Sequence, residues 1–373
     1  MKIFFLGHFG SYGGFGQASR DYVELLLSNG HEVTCQSIDP QESVSRFGQV
    51  WVERCSLPSV KDSYDVFFVH KSPWNYAGRR EDVHSMQEFE QAKKKYYITI
   101  FETDLWPSNW KPLLEPFDGV ITASQWQKRA CIKMMGPEWE PRTHLVPHVV
   151  EPRLPLPPRH DDGSYTFYSE FSQIIHRKGL DILLAAYFMA FSASDKVKLV
   201  LKIPGNPAEI MKFEQVVIFA SDCFNWKELP MVETCRAWLN DNQMDQLMMD
   251  SNCYICSARG EGFSIPLAKA AVNGRKVVYP AKGGLDWGGD FCDGVDAFAA
   301  IGWPVITDSF AAVEMKLETT GMKWIEPEIM ELAERMQWCY LNRALGEPRT
   351  QEKARSLLSK EAVYTKLMEA INA

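Results

Sequence analysis

A proline-rich stretch in the middle of the chain most constrains how it can fold. Prolines occupy five positions there: Pro147, Pro152, Pro155, Pro157 and Pro158. Because proline fixes φ and lacks an N–H donor, the stretch cannot continue a helix or an inner strand, and it predicts an extended connector. On both sides, short apolar runs alternate with helical patterns. Two α/β domains are therefore predicted, at 1–155 and 156–350, and 351–373 is predicted to be helical.

The segment before the connector opens with a strand, a glycine-rich loop, a helix and a second strand. The apolar run Lys2–Leu6 leads into Gly7–Gly16, a helical pattern follows, and His31–Ile38 is the next strand. This order is typical of a parallel α/β sheet. Further strands are predicted at Val66–Val69, Tyr97–Phe101, Gly119–Thr122 and Thr143–Val146.

The same pattern restarts after the connector. A strand is predicted at Tyr165–Tyr168, and apolar residues at helical spacing run from Leu180 to Phe191. Further strands are predicted at Val197–Ile203, Val216–Ala220, Cys253–Cys256 and Lys276–Tyr279, and further helices at Val232–Met249 and Pro266–Val272. The predicted fold class is α/β, with two doubly wound, Rossmann-like domains that face each other across a cleft.

Composition excludes few classes of function. The sequence is 46% hydrophobic, which excludes a disordered chain, and its net charge of −8 disfavours unspecific nucleic-acid binding. Nine cysteines, with one C-x-x-C pair at Cys253 and Cys256, favour reduced thiols and a packing role for the pair. The first residues lack the apolar run of a signal peptide, and no apolar run has the length of a membrane span. We expect a cytoplasmic protein without an integral membrane segment.

The first glycine-rich loop has the spacing of a dinucleotide-binding fingerprint. Gly10, Gly13 and Gly16 follow a strand, and Asp39 ends the next strand, where a ribose-binding acid would lie. Glycines let backbone N–H groups approach a phosphate at the N-terminus of a helix. NAD binding, binding of another phosphate-bearing ligand and a plain tight turn all remain open on this spacing.

Two later loops carry charged residues at the ends of predicted strands. Glu261 lies between two glycines in a loop that leads from a strand into a helix, where ligands bind in open α/β sheets. Helix capping by the acid is the alternative, although Ser264 is the expected cap. Arg177 and Lys178 precede another predicted helix, and two adjacent cations there suit a diphosphate. A solvated basic turn explains them equally well.

A third loop combines acids with aromatic residues. Glu102 and Asp104 follow a predicted strand and are flanked by Trp106 and Trp110. Aromatic ring faces can stack on the C–H groups of a polyhydroxylated ligand while the acids accept hydrogen bonds from its hydroxyls. A helix start with tryptophans in the core is the alternative.

Together, and in this order, these motifs resemble the retaining glycosyltransferases of the GT-B fold, in particular glycosyltransferase family 4. The likeness covers residues 3–290. It rests on six segments: Gly13-Gly14, Phe101 to Trp110, Asp118 to Trp126, Val146 to His148, Arg177 to Gly179, and Arg259 to Pro266 followed by Gly274. The resemblance implies an acceptor-binding N-terminal domain, a nucleotide-sugar-binding C-terminal domain, and C-terminal helices that cross back to the first domain.

The resemblance also implies roles for the matching residues. Catalysis is assigned to Glu261, which would hold the transferred sugar, and to Arg177 and Lys178, which would bind the donor diphosphate. Donor binding is assigned to Gly13, Gly14, Arg177, Lys178, Arg259, Glu261, Gly262, Phe263, Ser264, Ile265 and Lys269. Acceptor binding is assigned to His70, Glu102, Asp104, Trp106 and Trp110. A UDP-sugar is the expected donor, without a metal or a further cofactor, and the departing phosphate oxygen is expected to take the acceptor's proton.

The chain departs from the family pattern at Lys269. The family's usual second glutamate, which accepts hydrogen bonds from the nucleotide ribose, would fall at this position. Lysine is no acceptor and carries the opposite charge. Either the ribose is held differently, Lys269 contacts a phosphate, or donor binding has been lost. Phe101 also stands where many members of the family have histidine.

Three functions follow as alternatives. The first is metal-independent transfer of a sugar, with retention, from a nucleoside-diphosphate sugar to a hydroxyl of a glycan or glycolipid, or of a hydroxymethylated DNA base. Basic and acidic residues nearly balance over 71–133, which does not indicate a nucleic-acid groove. The second is non-catalytic binding of a sugar nucleotide or a glycan, motivated by Lys269. The third is an NAD(P)-dependent oxidoreductase, supported only by the N-terminal glycines and Asp39.

Overall fold

The structure is a computed structural model, and it describes residues 1–56, 63–73, 83, 86–153, 160, 162–224, 228–280, 282–288, 300–304, 321–343 and 348–373. Two compact units are formed. The first comprises Met1–Val149, Pro304–Lys323 and Leu358–Ala373, and the second comprises Val150–Trp303 and Trp324–Leu357. The domain boundary predicted between residues 155 and 156 lies outside the described residues.

The first unit is built on a parallel sheet whose strands are β1 (Lys2–Gly7), β2 (Glu32–Ser37), β3 (Val66–His70), β4 (Lys94–Ile98), β5 (Gly119–Thr122) and β6 (Thr143–Leu145). Its described helices are α1 (Gly14–Ser28), α2 (Gln41–Val44), α3 (Gln49–Ser56), α4 (Gln87–Gln91), α5 (Lys111–Leu114) and α6 (Gln125–Met135). The strand order is β2-β1-β3-β4-β5-β6. Because the order reverses direction between β1 and β3, the loops that follow these two strands flank a topological switch point.

The second unit is built on another parallel sheet, with strands β7 (Tyr165–Glu170), β8 (Val197–Lys202), β9 (Met231–Cys235), β10 (Cys253–Ile255) and β11 (Lys276–Val278). Its helices are α7 (Leu180–Ala190), α8 (Pro207–Asp222), α9 (Asp241–Met249), α10 (Ile265–Val272), α11 (Ile329–Leu341) and α12 (Pro348–Leu358). The strand order is β11-β10-β7-β8-β9, with the switch point between β7 and β10. A separate two-stranded sheet pairs β12 (Ala300–Pro304) with β13 (Lys323–Pro327).

Each sheet packs its apolar side chains against helices. In the first unit, α1 and the C-terminal helix α13 (Lys360–Asn372) cover one face, and Leu367 and Ile371 of α13 are buried there. The main-chain carbonyl of Ile371 accepts hydrogen bonds from Tyr96 Oη at 3.2 Å and Lys94 Nζ at 2.5 Å. The last helix is therefore an integral part of the first unit's core.

Two predicted elements of the second half are wrong and one in the first half is displaced. Val216–Ala220, predicted as a strand, lies inside α8. This helix begins at the cap residue Asn206, whose side chain accepts a hydrogen bond from Glu209 N–H, and it continues through the apolar run. The helix predicted at Val232–Met249 is strand β9 followed by α9, whose start is defined by a capping box. The strand predicted at Tyr97–Phe101 begins three residues earlier, at Lys94.

No helix in the described part of the chain combines the length and the apolar character that a membrane crossing requires.

Candidate functional site

The switch point of the second sheet brings together the two charged loops that were predicted from the sequence. β7 and β10 are neighbouring parallel strands, with Tyr168 opposite Tyr254. The turn His176–Lys178 lies between β7 and α7, and the loop around Glu261 lies between β10 and α10. Both therefore lie beyond the carboxyl ends of adjacent strands, which is where ligands bind in this class of sheet.

Backbone contacts hold the turn against the loop. Arg259 N–H donates to Arg177 O at 2.8 Å, and Ser257 Oγ donates to Gly179 O at 2.8 Å. Gly179 has φ of +68° and precedes α7 directly, and a Cβ at this position would lie 2.0 Å from Ser257 O. Only glycine permits both this left-handed conformation and this close approach.

The predicted charged side chains meet at this junction. Lys178 Nζ lies 2.6 Å from Glu261 Oε1, and their side chains are 17% and 14% exposed. Arg177 donates from Nη1 to Gly260 O at 2.5 Å. Both cations immediately precede α7, whose first N–H groups and macrodipole add positive potential. The arrangement suits a phosphate bound by the cations and the helix N-terminus, with a carboxylate beside it that accepts hydrogen bonds.

Arg259, assigned to donor binding from the sequence, is held by contacts within the protein. Its side chain is 5% exposed. All of its hydrogen bonds go to the protein: Nη1 and Nη2 bind Asp181, Nε and Nη2 bind Glu326, and Nη1 binds His176 O, at 2.6–2.9 Å. These bonds use the five N–H groups of a guanidinium. In this conformation the side chain has no further N–H group for a sugar nucleotide, and the assignment of Arg259 to donor binding stays a prediction.

The segment Gly262–Ile265 forms a constrained path into α10. Ser264 has φ of +61°, a left-handed value that no other described non-glycine residue has, and its side chain does not cap the helix as expected. Phe263 is buried and stacks on Trp287 with ring centroids 4.5 Å apart. Trp287 Nε1 donates to Phe263 O at 2.7 Å. Such strain persists only where surrounding contacts impose it, and it is concentrated at functional sites.

Lys269 acts electrostatically on a carboxylate that sequence reasoning missed. Burial raises the pKa of Glu170 above its usual range, while the charge of Lys269, a hydrogen bond from Tyr168 and the charge of Lys178 act in the opposite direction. Tyr168 Oη donates to Glu170 Oε2 at 2.9 Å. Glu170 is the last residue of β7, so it ends the strand at the switch point. Its position at a strand end was the one signal in the sequence that could have identified it.

The N-terminal glycine loop is held by Asp39. Gly10 N–H donates to Asp39 Oδ2 at 2.7 Å, and His8 Nδ1 lies 2.9 Å from Asp39 Oδ1. Although burial opposes ionisation, these hydrogen bonds keep the pKa of Asp39 below its usual range. Both carboxylate oxygens already have partners in the loop, so Asp39 is a loop anchor in this structure. Gly13 and Gly14, at the start of α1, are exposed.

His70 lies at the carboxyl end of β3 but is completely buried. Its Nδ1 is 2.8 Å from Ser19 Oγ, and Phe15 and His148 contact its ring, with centroids 5.1 and 6.0 Å away. Burial lowers the pKa of His70 well below the usual value, and it lowers that of His148 to about 4. His70 is therefore a neutral core residue here, and direct contact with an acceptor, as assigned from the sequence, would require this packing to open.

The other assigned acceptor residues do not form an open aromatic platform. Trp106 and Trp110 are each 1% exposed, and their rings pack edge to face at 5.8 Å in the core. Asp104 exchanges two hydrogen bonds with the backbone of Lys323, at 2.7 and 3.1 Å. Glu102 is partly exposed. The core interpretation of the tryptophans is thus correct, and stacking on a ligand is not possible in this conformation.

Comparison of the whole chain with solved structures identifies its architecture. Sucrose-phosphate synthase from Thermosynechococcus elongatus superimposes with a TM-score of 0.67 and 15% identity, over 100% of this chain and 98% of that one. HepE from Anabaena, solved in complex with UDP, gives 0.63 and 15% over 100% of both chains. A glycosyltransferase from Rickettsia africae gives 0.66 and 13%, over 100% and 97%.

The chain has the GT-B fold. The predicted α/β class with two parallel sheets, and the resemblance to glycosyltransferases of the GT-B fold, are therefore confirmed. No protein-family model matches the sequence, and no curated protein matches it.

Within this GT-B chain, several residues that shape the site were not predicted. Asp181 and Glu326 bind Arg259 from α7 and β13, and Glu170 lies near Lys178 and Lys269. Asp181 and Glu326 are ordinary acids in the sequence, far from Arg259 along the chain. Nothing in their local pattern indicates the pairing.

Proposed function

We propose that the protein is a glycosyltransferase that uses a nucleoside-diphosphate sugar, with a UDP-sugar as the first candidate. The observation that carries the proposal is the junction at the second switch point. There, Arg177 and Lys178 precede the N-terminus of α7, and Glu261 lies 2.6 Å from Lys178. Cations, a helix N-terminus and one carboxylate are the groups that a diphosphate joined to a polyhydroxylated sugar requires. The GT-B neighbours, HepE with UDP among them, support the same class.

In the proposed reaction the bond between the anomeric carbon and the β-phosphate oxygen breaks, and its electron pair leaves with the nucleoside diphosphate. An acceptor hydroxyl oxygen forms the new bond to the anomeric carbon on the same face. The hydroxyl proton passes to the departing phosphate oxygen. Arg177 and Lys178 would stabilise the charge that develops on the diphosphate, as preorganised cations do for leaving groups.

Glu261 would hold the transferred sugar. Its carboxylate is an acceptor with more than one lone pair, so it can accept from a sugar hydroxyl while Lys178 turns to the phosphate. The segment Gly262–Ile265 would line the same pocket through its backbone. The histidines of this unit are His160 and His176. The proposed reaction uses neither of them as a base, because the departing phosphate oxygen takes the proton. Retention of configuration and independence from metal ions belong to this proposal.

The acceptor is proposed to be a glycan or a glycolipid, and a hydroxymethylated DNA base is the alternative. The net charge of −8 favours the uncharged classes of acceptor over a DNA duplex. Of the residues assigned from the sequence, Glu102 keeps a partly exposed position, and Trp106, Trp110 and His70 are buried.

One observation favours a second function. Lys269 and Glu170 lie close enough to interact electrostatically, so this part of the pocket differs in charge from the pattern expected from the resemblance. A protein that binds a sugar nucleotide or glycan without transferring the sugar is consistent with that difference. NAD(P)-dependent oxidation is disfavoured, because both oxygens of Asp39 are bound within the glycine loop.

A donor panel followed by a turnover assay tests the proposal. UDP-, GDP-, ADP-, CMP- and dTDP-sugars are screened by thermal shift, with NAD and NADP in the same panel. The donor with the largest shift is then incubated with glycan, glycolipid and hydroxymethylated DNA acceptors, and products are detected by mass. Donor binding with sugar transfer supports the glycosyltransferase. Binding without transfer to any acceptor or to water supports the second function, and binding of NAD(P) alone contradicts both.

A further inference from the structure

Arg259 connects three separate elements of the second unit. Its guanidinium binds Asp181 in the first turn of α7 with two bonds of 2.8 and 2.9 Å, and Glu326 of β13 with two bonds of 2.6 and 2.8 Å. A fifth bond reaches the carbonyl of His176 at 2.8 Å. The residue itself belongs to the loop after β10. One side chain therefore ties the cation-bearing turn, helix α7 and strand β13 to this loop.

The backbone of Arg259 strengthens the same connection. Its N–H donates to Arg177 O at 2.8 Å, and its carbonyl accepts from Ile325 N–H at 3.1 Å. The neighbouring Gly260 receives the 2.5 Å bond from Arg177 Nη1. Movement of Arg259 would therefore displace Arg177 through both its main chain and its side chain.

Arginine is the only residue type that can make this set of bonds. Two carboxylates bound by parallel pairs and one carbonyl need five N–H groups in a fixed plane, whereas lysine has three donors on one nitrogen. The positive charge of Arg259 is also neutralised within this cluster, because its one guanidinium is paired with two carboxylates. Burial opposes ionisation of Asp181, and the hydrogen bonds and charge of Arg259 nevertheless keep the pKa of that carboxyl below its usual range. Positive charge for a phosphate must therefore come from Arg177, Lys178 and the helix.

We propose that Arg259, with Asp181 and Glu326, is a positioning residue that holds Arg177, Lys178 and Glu261 in the geometry that binds a diphosphate. It touches neither donor nor acceptor, and it acts through the turn and the loop that it joins. This inference rests on the proposed function. It reassigns an arginine beside a glycine-rich loop from ligand contact to the support of other ligand contacts.

The expected consequence is a loss of donor affinity in a protein that is still folded. Arg259→Lys keeps a positive charge, but lysine cannot form paired hydrogen bonds to both carboxylates. The turn that carries Arg177 and Lys178 is then no longer held in its position relative to the Glu261 loop. Misplacement by about 1 Å at a site costs on the order of 100-fold in function. We expect Arg259→Lys to weaken UDP binding by about 10- to 100-fold.

Arg153→Lys is the matched control. Arg153 lies in the same unit and binds Asp245 at 2.5 Å and Asn242 at 2.6 Å, so it is also an arginine with a carboxylate partner. None of the bonds described for it involves the turn or the Glu261 loop. Arg153→Lys is therefore expected to bind UDP within about twofold of wild type, since a distant surface change rarely alters a site.

The test measures UDP affinity by isothermal titration calorimetry, well below the melting temperature of each variant, together with the melting temperature itself. A purely structural role would lower the melting temperature and leave the affinity of the folded protein unchanged. If wild type binds UDP and folded Arg259→Lys binds within twofold of it, the positioning role is overturned. If wild type binds no nucleoside diphosphate, the proposed function fails first and the inference falls with it.

Two further variants keep the inference falsifiable if Arg259→Lys does not fold. Asp181→Asn and Glu326→Gln each remove one charge partner and retain an oxygen acceptor. Both are expected to weaken UDP binding, and to lower kcat less than they raise KM for the donor, because the cations are displaced but present. Wild-type UDP affinity in both folded variants would overturn the proposal.

Discussion

Replacement of Gly179 by alanine tests how much the fold depends on the close backbone contact at the junction. Gly179 has φ of +68°, and a Cβ there would lie 2.0 Å from Ser257 O, whereas ordinary contacts begin near 3.4 Å. The left-handed conformation alone costs about 1–2 kcal/mol for alanine. Reduced entropy of the unfolded chain returns about 0.4–1 kcal/mol. The clash adds about 1–3 kcal/mol, as for overpacked sites, so Gly179→Ala should destabilise the fold by about 2–4 kcal/mol.

Gly163→Ala is the control that separates conformation from clash. Gly163 also has a left-handed φ, of +81°, but a Cβ at this position would point into open space, with nothing within 4 Å. It should cost about 1 kcal/mol, the conformational part alone. Urea denaturation of both variants gives the two values. Because the turn carries Arg177 and Lys178, Gly179→Ala should also weaken UDP binding, and Gly163→Ala should not. Equal destabilisation of the two variants, with UDP affinity unchanged in both, would show that the contact between Gly179 and Ser257 does not shape the junction.

Two predictions concern residues of the first unit. Trp106→Ala should lower the free energy of unfolding by about 3–5 kcal/mol, because its side chain is 1% exposed; a loss below 1 kcal/mol in urea denaturation would contradict the core assignment. The pKa of His148 is lowered by burial to about 4, so the folded protein binds fewer protons than the unfolded chain as the pH falls below 6.5. Stability is therefore retained above pH 6.5 and declines towards pH 4, by about 3 kcal/mol for this group. Denaturation of His148→Phe as a function of pH should show a decline smaller by that amount, and an unchanged pH profile would show that His148 does not contribute.

Local sequence patterns predict the sheets because the strands are short apolar runs bounded by loops. β5 coincides with its predicted range, Gly119–Thr122, and β10 and β11 differ from theirs by one residue at the end. The pattern failed at Val216–Ala220, where β-branched residues lie inside α8. The cap of this helix, Asn206, lies ten residues before Val216, and a short sequence window does not include it. Capping and tertiary packing outweigh local strand propensity there.

Those residues of the candidate site that lie in loops directly after strands could be predicted from the sequence. Arg177, Lys178 and Glu261 were assigned to the candidate site because each follows a predicted strand, and the parallel order of β7 and β10 does bring them together. The hydrogen bonds of Arg259 with Asp181 and Glu326 were not predictable, because these residues are far apart in the sequence and meet only when the chain folds. For Trp106 and Trp110 the sequence pattern was ambiguous, since tryptophans beside acids are found both in sugar-binding sites and at the edge of a core.

The most direct test of the proposed sugar transfer compares wild type with Glu261→Gln in the presence of the best nucleotide sugar. Glutamine retains the size of the side chain and removes the charge that pairs with Lys178 at 2.6 Å. We expect that wild type binds the donor and transfers or hydrolyses its sugar. Glu261→Gln should still fold and bind UDP, and should lose about 100- to 1000-fold in kcat, the loss typical of a group aligned with the reacting centre. Undiminished turnover by folded Glu261→Gln, or no binding of any nucleotide sugar by wild type, would contradict the proposed sugar transfer.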